Sequence, residues 1–223
     1  MTTTIDPYAF DDIITELKRQ PLQVNEYRTK AGSGRSQTFG IVGRRCLPPD
    51  YSRQNWLRPY LFKLLIDFAK EYVKIPWNAI TVNQNYKAGK HYDKNNKGDS
   101  FLVAFGDYTG GELQIHETDL SGSHCIRHRP IVADFSKILH SVSDFQGERY
   151  SLVFYWFETP RSVALPPCSV RKEGEKWFFY RGEEKITRQK GLPHPLRNKK
   201  KEENTTDVIR MKIEKSNKVL EFR

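Results

Sequence analysis

Three side chains in the middle of the chain have the types and the spacing of a metal-ligand set. His91 and Asp93 are two residues apart, so an extended segment places both side chains on one face. His140 follows later in the chain, at the end of a predicted strand. Two imidazoles and one carboxylate can bind one face of an iron(II) ion and leave its other positions open for a chelating ligand and dioxygen. We therefore predict that His91, Asp93 and His140 are metal ligands and form a catalytic centre.

A second group of polar residues has the character of a site for a dicarboxylate. Arg149 immediately precedes a predicted strand at 150–157 and shares one strand face with Ser151. An arginine guanidinium can bind a carboxylate through two parallel hydrogen bonds, and the Ser151 hydroxyl can add a third. Asn83 and Asn85 share a face of another predicted strand and are expected to contact the same ligand. These four residues are the predicted binding site for a cosubstrate.

Two predicted helices and six predicted strands would position these residues. The first helix begins after Asp6, which can cap it, and Pro7 suits its first position. The second helix runs from Pro59 to Val73 and has leucine and aromatic residues on one face. The strands are predicted at 79–86, 101–105, 112–116, 131–134, 139–142 and 150–157. Many short strands at this spacing indicate a sandwich or a small barrel, with the helices covering one outer face.

The segments outside this core have other patterns. Residues 30–40 are rich in glycine and serine and predict a mobile loop. Residues 177–181 and 184–188 predict a hairpin, whose aromatic side chains either stack on bases or pack against the barrel. A solvated linker is predicted at 194–204 and a second hairpin within 209–222.

The net charge of +10 is unevenly distributed along the chain. Residues 1–160 contain 20 Lys and Arg against 18 Asp and Glu, whereas residues 161–223 contain 17 against 9. We therefore divide the chain into a nearly neutral domain, 1–160, with its β core at 79–157, and a basic C-terminal extension, 161–223. Such an extension indicates a polyanionic partner such as nucleic acid.

Composition excludes several other classes of protein. Hydrophobic residues make up 37% of the chain, which is enough for a packed core and argues against wholesale disorder. Cys46, Cys125 and Cys168 form no C-x-x-C pair, so neither a disulfide framework nor a cysteine zinc site is expected. Reduced thiols are typical of an intracellular protein, whether nuclear, cytoplasmic or encoded by a virus or phage. No signal peptide, membrane span or membrane partner is expected, and the oligomeric state is left open.

Four motifs lie in order within residues 79–157, about a third of the chain. They are Asn83-Gln84-Asn85-Tyr86, His91-Tyr92-Asp93-Lys94-Asn95-Asn96, Phe105-Gly106-Asp107-Tyr108-Thr109-Gly110-Gly111-Glu112-Leu113 and Arg149-Tyr150-Ser151-Leu152-Val153. Together they resemble the catalytic core of iron(II)/2-oxoglutarate-dependent dioxygenases, and more narrowly the TET/JBP-like branch of that superfamily.

The resemblance implies an α+β, mainly β protein built on a double-stranded β-helix of the jelly-roll or cupin type, with supporting N-terminal helices. It implies that iron(II) is bound by His91, Asp93 and His140, and 2-oxoglutarate by Arg149. The implied enzyme uses O2 and 2-oxoglutarate to hydroxylate a substrate C–H bond, with ascorbate added in vitro. Because the branch oxidises the methyl group of 5-methylcytosine or thymine in DNA, DNA is the favoured partner over RNA.

Candidate substrate contacts lie in the loop at 94–99, directly after Asp93. This loop borders the predicted pocket, so Asn95 and Asn96 are predicted to contact the substrate.

Two alternatives stay open at this point. Gly-Gly-Glu-Leu also occurs in prolyl-hydroxylase-like members of the superfamily, so a protein side chain such as proline is a second candidate substrate. Those members usually have a lysine where this chain has Arg149, which favours the nucleic-acid branch. The third candidate is a catalytically inactive β-helix that serves as a binding module, but the complete ligand set and Arg149 argue against it.

Overall fold

The structure is a computed structural model, and it describes residues 4–23, 32–44, 47–158 and 165–187. A 3-10 turn (Pro7–Phe10) leads into helix α1 (Asp11–Arg19), and α2 (Gln54–Leu57) and α3 (Pro59–Tyr72) follow along the chain. The strands are β1 (Gly32–Arg44), β2 (Leu47–Tyr51), β3 (Ala79–Ala88), β4 (Ser100–Phe105), β5 (Tyr108–Gly110), β6 (Leu113–Ile115), β7 (Gly122–His124), β8 (Ile131–Ala133), β9 (His140–Val142), β10 (Phe145–Gly147), β11 (Tyr150–Tyr155), β12 (Cys168–Glu173), β13 (Lys176–Arg181) and β14 (Glu184–Ile186).

Both predicted helices are present. Asp6 caps the first, because its Oδ1 accepts a hydrogen bond from the Tyr8 backbone N–H at 3.0 Å. The second helix begins at Pro59 and ends where the backbone of Val73 becomes extended. No helix in the described ranges is long and apolar enough to cross a membrane.

The strands of the barrel form two sheets that face each other across a cavity. The long sheet has six antiparallel strands in the order β2-β1-β3-β11-β4-β8. The short sheet, β7-β6-β9, and the strand pair β10-β5 lie opposite. Leu102 and Ala104 of the long sheet belong to one buried cluster with Leu113 and Ile115 of the short sheet. Because the chain passes repeatedly from one sheet to the other, this core is the double-stranded β-helix that the family resemblance implies.

Helices α1 and α3 cover the outer face of the long sheet. Phe68 of α3 stacks on Phe154 with ring centroids 5.9 Å apart, and Phe10 stacks on Phe105 at 4.5 Å. Successive side chains of a strand point to opposite faces, so the alternate residues of β4 and β11 point into the cavity. The predicted packing of the N-terminal helices on one outer face is confirmed.

Strand β1 corrects the loop predicted at 30–40, because residues 32–44 are extended and paired. The strand pairs with β3 from Gly32, opposite Ala88, to Gly40, opposite Ala79. A Cβ atom at Gly34 would lie 2.1 Å from the carbonyl oxygen of Asn85. Glycine is therefore required here by the close approach of two backbones and not by a flexible loop.

A small antiparallel sheet, β12-β13-β14, follows the barrel. It contains the predicted hairpin as β13 and β14, together with a third strand, β12, that was not predicted. Phe179 of β13 is buried against Phe62 of α3 and Trp56 of α2. The sheet is thereby attached to the helices on the outer side of the long sheet.

Several predictions about the C-terminal part of the chain lie outside the described residues. They are the linker at 194–204 and the hairpin within 209–222. The division of the chain at residue 160 stays a prediction. The described segment 165–187 carries five Lys and Arg and four Asp and Glu, so most of the positive charge of the extension belongs to residues outside it.

Candidate active site

The two predicted histidine ligands are brought together by the backbone. His91 lies beyond the end of β3, and His140 opens β9. The two residues form an isolated antiparallel bridge, in which the His91 N–H donates to the His140 carbonyl at 3.0 Å and the His140 N–H donates back at 3.1 Å. As a result the two imidazole rings lie side by side, with centroids 4.3 Å apart.

Asp93 joins the two histidines and completes the predicted set. Its backbone N–H donates to the Phe135 carbonyl at 2.9 Å, which fixes the loop against the segment before β9. One carboxylate oxygen lies 3.5 Å from His91 Nε2 and the other lies 4.0 Å from His140 Nε2. The three ligand atoms that these residues offer all lie within 4.8 Å of one another, a separation that permits a shared metal ion.

Hydrogen bonds at Nδ1 determine which ring nitrogen of each histidine is available to a metal. His91 Nδ1 lies 2.7 Å from the Gly89 carbonyl oxygen, and His140 Nδ1 lies 2.9 Å from that of Ile138. Because a carbonyl oxygen only accepts, each Nδ1 carries the proton and each Nε2 keeps its lone pair for a metal. Burial lowers the pKa of His140, which favours the neutral ring that a ligand requires.

The cavity opens beside two of these residues. The side chains of His91 and Asp93 are 26% and 27% exposed, whereas that of His140 is 7% exposed. The ligand set therefore lies where the cavity meets solvent, within reach of a substrate too large to enter.

Asn96 lines this cavity, but its side-chain amide is hydrogen-bonded to neighbouring residues. Its Nδ2 donates to the Ser100 hydroxyl at 3.1 Å and lies 3.4 Å from an Asp93 carboxylate oxygen. The structure thus places Asn96, a predicted substrate contact, as a support for Asp93. Asn95 is exposed and is not among the residues that line the cavity.

Arg149 lines the same cavity and is only 2% exposed. Its Nε donates to the Gly111 carbonyl at 3.1 Å, and its guanidinium carbon lies 5.5 Å from the centroid of the Tyr108 ring and 5.7 Å from that of Phe145. Burial lowers the pKa of Arg149, because the charged form has lost its hydration. Within the described ranges this buried cation forms no salt bridge.

Ser151 and Asn83, two of the predicted cosubstrate-binding residues, lie together in the cavity. Ser151 follows Arg149 on the inward face of β11, and its hydroxyl accepts a hydrogen bond from Asn83 Nδ2 at 3.1 Å. The Oδ1 of Asn83 is buried and has no hydrogen-bond partner in the described chain. The cavity therefore contains a polar group that a ligand can satisfy.

The expectation that Asn85 shares the cavity face with Asn83 is wrong. Asn85 has a φ of 49°, and the pairing of β3 with β1 shifts register at this position. The extra residue forms a bulge, which turns Asn85 to the surface and brings Tyr86 into the cavity. Asn85 Oδ1 instead accepts a hydrogen bond from the backbone N–H of Arg149 at 2.8 Å. Asn85 therefore lies outside the cavity and holds the backbone of a residue that lines it.

The cavity has further lining residues that were not predicted as site residues. The inward face of the long sheet also contributes polar hydroxyl groups, and Phe135 packs against the His140 ring at 4.8 Å. Among these additional residues are Thr81, Tyr86, Phe135 and Tyr155. Strand alternation from Asn83 would have found Thr81, and alternation from Arg149 gives Tyr155, which shares that strand face.

Comparison with protein-family models gives no match for this chain, and comparison with curated proteins gives none either. Among solved structures, NgTET1 in complex with 5mC DNA is 12% identical, with a TM-score of 0.47 over 69% of this chain and 69% of that one. A prolyl-4-hydroxylase from Pseudomonas putida is 12% identical, with a TM-score of 0.45 over 72% of this chain and 91% of that one. A 2OG-Fe(II) oxygenase family oxidoreductase from Burkholderia pseudomallei is 18% identical, with a TM-score of 0.44 over 67% and 78%. At these identities the likeness concerns architecture alone.

Proposed function

We propose that this protein is an iron(II)- and 2-oxoglutarate-dependent dioxygenase that hydroxylates the methyl group of a nucleic-acid base, 5-methylcytosine or thymine. The observation that carries the proposal is one cavity with two complementary features. It holds two histidines and one aspartate whose ligand atoms lie within 4.8 Å of one another, and it holds a buried arginine.

The ligand set fits iron(II). His91 and His140 each offer an Nε2 lone pair, since both Nδ1 atoms are tied to backbone carbonyls, and Asp93 offers a carboxylate oxygen. Two imidazoles and one carboxylate are the ligand set of non-haem iron(II) oxygenases. These three residues would hold the metal, and they leave positions for other ligands.

Arg149 and its neighbours fit the far carboxylate of 2-oxoglutarate. Arg149 is buried and has no ion-pair partner in the described chain. Burying such a charge costs folding free energy unless an anion binds to it. The Ser151 hydroxyl can donate to the same carboxylate. Because Asn83 Nδ2 donates to the Ser151 oxygen, the single hydroxyl proton of Ser151 stays available for that carboxylate.

The chemistry is shared between cofactor and protein. Iron(II) with 2-oxoglutarate and O2 supplies hydroxylation of an unactivated C–H bond, with succinate and CO2 as coproducts. The protein binds and orients: Arg149 fixes the cosubstrate, Asn96 holds the Asp93 carboxylate, and Phe135 excludes water beside His140. No side chain has to act as a general acid or base.

The nucleic-acid substrate is supported by the motifs shared with the TET/JBP-like branch and by the excess of cations in this chain. The ligand set lies at the opening of a cavity that a duplex cannot enter, so a base must leave its stack to reach the metal. DNA is the proposed polymer, because the resemblance is to DNA-modifying members.

Nucleoside mass spectrometry tests this proposal. Methylated and unmethylated DNA and RNA are incubated with the protein, iron(II), ascorbate and 2-oxoglutarate, beside a proline-rich peptide pool. Hydroxymethylated bases formed by wild type and not by Asp93→Ala support the proposal. Hydroxyproline in the peptides with no modified base would favour the protein-hydroxylase alternative. Absence of succinate under every condition would favour a non-catalytic binding module.

A further inference from the structure

The loop that carries two of the proposed metal ligands is rich in lysine. Residues 87–97 contain four lysines and a single carboxylate, Asp93. Lys87 and Lys97 form surface ion pairs with Asp144 and Glu158. The remaining two lysines, Lys90 and Lys94, are exposed and form no salt bridge with any described residue. In the sequence, these two cations lie directly before His91 and directly after Asp93, the two ligands nearest the solvent.

An exposed tryptophan belongs to the segment whose backbone contacts this loop. Trp156 is 39% exposed, and its carbonyl accepts a hydrogen bond from the Lys97 backbone N–H at 2.9 Å. The next residue, Phe157, bridges to Asn96, which lines the cavity. An exposed aromatic ring and unpaired cations on adjoining segments are a combination that can bind single-stranded nucleic acid, since bases stack on aromatic faces and cations neutralise phosphates.

We propose that Lys90, Lys94 and Trp156, here called the rim surface, bind a single-stranded nucleic acid around the target base. The two lysines contact phosphates, and the indole stacks on a base that flanks the one in the cavity. This inference deepens the proposed function, on which it rests, by assigning the residues that hold the polymer.

The small C-terminal sheet is a poorer candidate for this task. Three of its five described cations are engaged with carboxylates: Arg171 with Glu183, Arg181 with Asp50, and Lys185 with Glu173. The sheet also packs against α2 and α3, on the side of the long sheet away from the cavity. Its two unpaired cations, Lys172 and Lys176, are exposed and provide a matched control.

The test compares two double variants that each remove two positive charges. Binding of a short fluorescent single-stranded oligonucleotide is measured by anisotropy across a salt series, without iron or 2-oxoglutarate. Counterion release gives a log–log salt slope of about −0.7 per phosphate contacted on a single strand. Lys90→Gln with Lys94→Gln should reduce the magnitude of the slope by roughly 1.4 and weaken binding about tenfold or more at about 50 mM salt. Lys172→Gln with Lys176→Gln should stay close to wild type.

Trp156→Ala should weaken binding by roughly five- to 150-fold, which corresponds to about 1–3 kcal/mol for one stacked base, with the salt slope unchanged. Equal losses in the two double variants would overturn the assignment to the rim surface, as would wild-type protein that does not bind the oligonucleotide. Because binding is measured without cofactors, a protein that binds through the rim but forms no succinate would refute the proposed function and leave the rim assignment intact.

Discussion

His91 and His140 are joined by two reciprocal backbone hydrogen bonds of 3.0 and 3.1 Å, although they lie far apart in sequence. Each ring is then oriented by a bond from its Nδ1 to a carbonyl two residues earlier. Asp93 is anchored in the same way by its own backbone N–H. The ligand atoms are thus positioned by hydrogen bonds of the backbone.

Asp93→Ala should abolish 2-oxoglutarate turnover and leave the fold intact. The carboxylate is a proposed ligand and is not buried in the core, so we expect unfolding to change by less than about 1 kcal/mol in the presence of a chelator. Calorimetry with Mn(II) as a redox-stable probe should detect binding to wild type and none to the variant. Asp144→Ala is the control, because its side chain is 91% exposed at the surface.

Two other outcomes of this experiment would contradict these expectations. If Asp93→Ala binds Mn(II) as tightly as wild type, the metal is held elsewhere. If instead the variant unfolds without metal, the carboxylate has a structural role that its partial exposure does not suggest.

Arg149→Ala should weaken 2-oxoglutarate binding by roughly 150- to 4,000-fold. Removing one partner of a buried charge pair costs roughly 3–5 kcal/mol, and each 1.4 kcal/mol is a factor of ten in affinity. Arg127 is a suitable control, because its guanidinium also lies over the Tyr108 ring, at 5.0 Å, without lining the cavity. An unchanged Michaelis constant for 2-oxoglutarate in Arg149→Ala would show that the cosubstrate is bound by other residues.

Gly111→Ala should also weaken 2-oxoglutarate binding, because the added methyl group displaces the Arg149 side chain. A Cβ atom at Gly111 would lie 2.8 Å from both Cδ and Nε of Arg149, so the side chain must move. Gly111 also has a φ of +70°, which strains any other residue. Gly174→Ala has a similar φ of +58° with no neighbour within 4 Å. Both variants should lose about 1–2 kcal/mol of stability, but 2-oxoglutarate affinity, measured by calorimetry, should fall only in Gly111→Ala.

The meeting of His91, Asp93 and His140 could be predicted from the sequence because their types and order are informative. The inward positions of Arg149 and Ser151 followed from simple alternation along one regular strand. The helices were predicted from caps and periodicity, which are local signals, and Asp6 and Pro59 occupy the expected positions.

The position of Asn85 could not be predicted, because it depends on a distant strand. Its bulge forms where β3 pairs with Gly34, and only the partner strand reveals the register shift. Strand β1 was missed for the same reason: its sequence is rich in glycine, and only its pairing with β3 makes it a strand. Strands β5, β7 and β10 were not predicted, because their sequences, Tyr-Thr-Gly, Gly-Ser-His and Phe-Gln-Gly, each contain a glycine and at most one large apolar residue.

Phe179→Ala tests whether the C-terminal sheet folds together with the barrel. The ring is 1% exposed and packs against Phe62, Trp56 and Tyr51, so its loss should cost about 3–5 kcal/mol. Phe178, its neighbour on the opposite strand face, is half-buried beneath Lys185, and Phe178→Ala should cost less than about 1 kcal/mol. Thermal unfolding should show a single transition that Phe179→Ala lowers by roughly 10 °C. An unshifted main transition in Phe179→Ala would mean that residues 165–187 fold independently of the barrel, and a protein ending near residue 160 should then be as stable as the full chain.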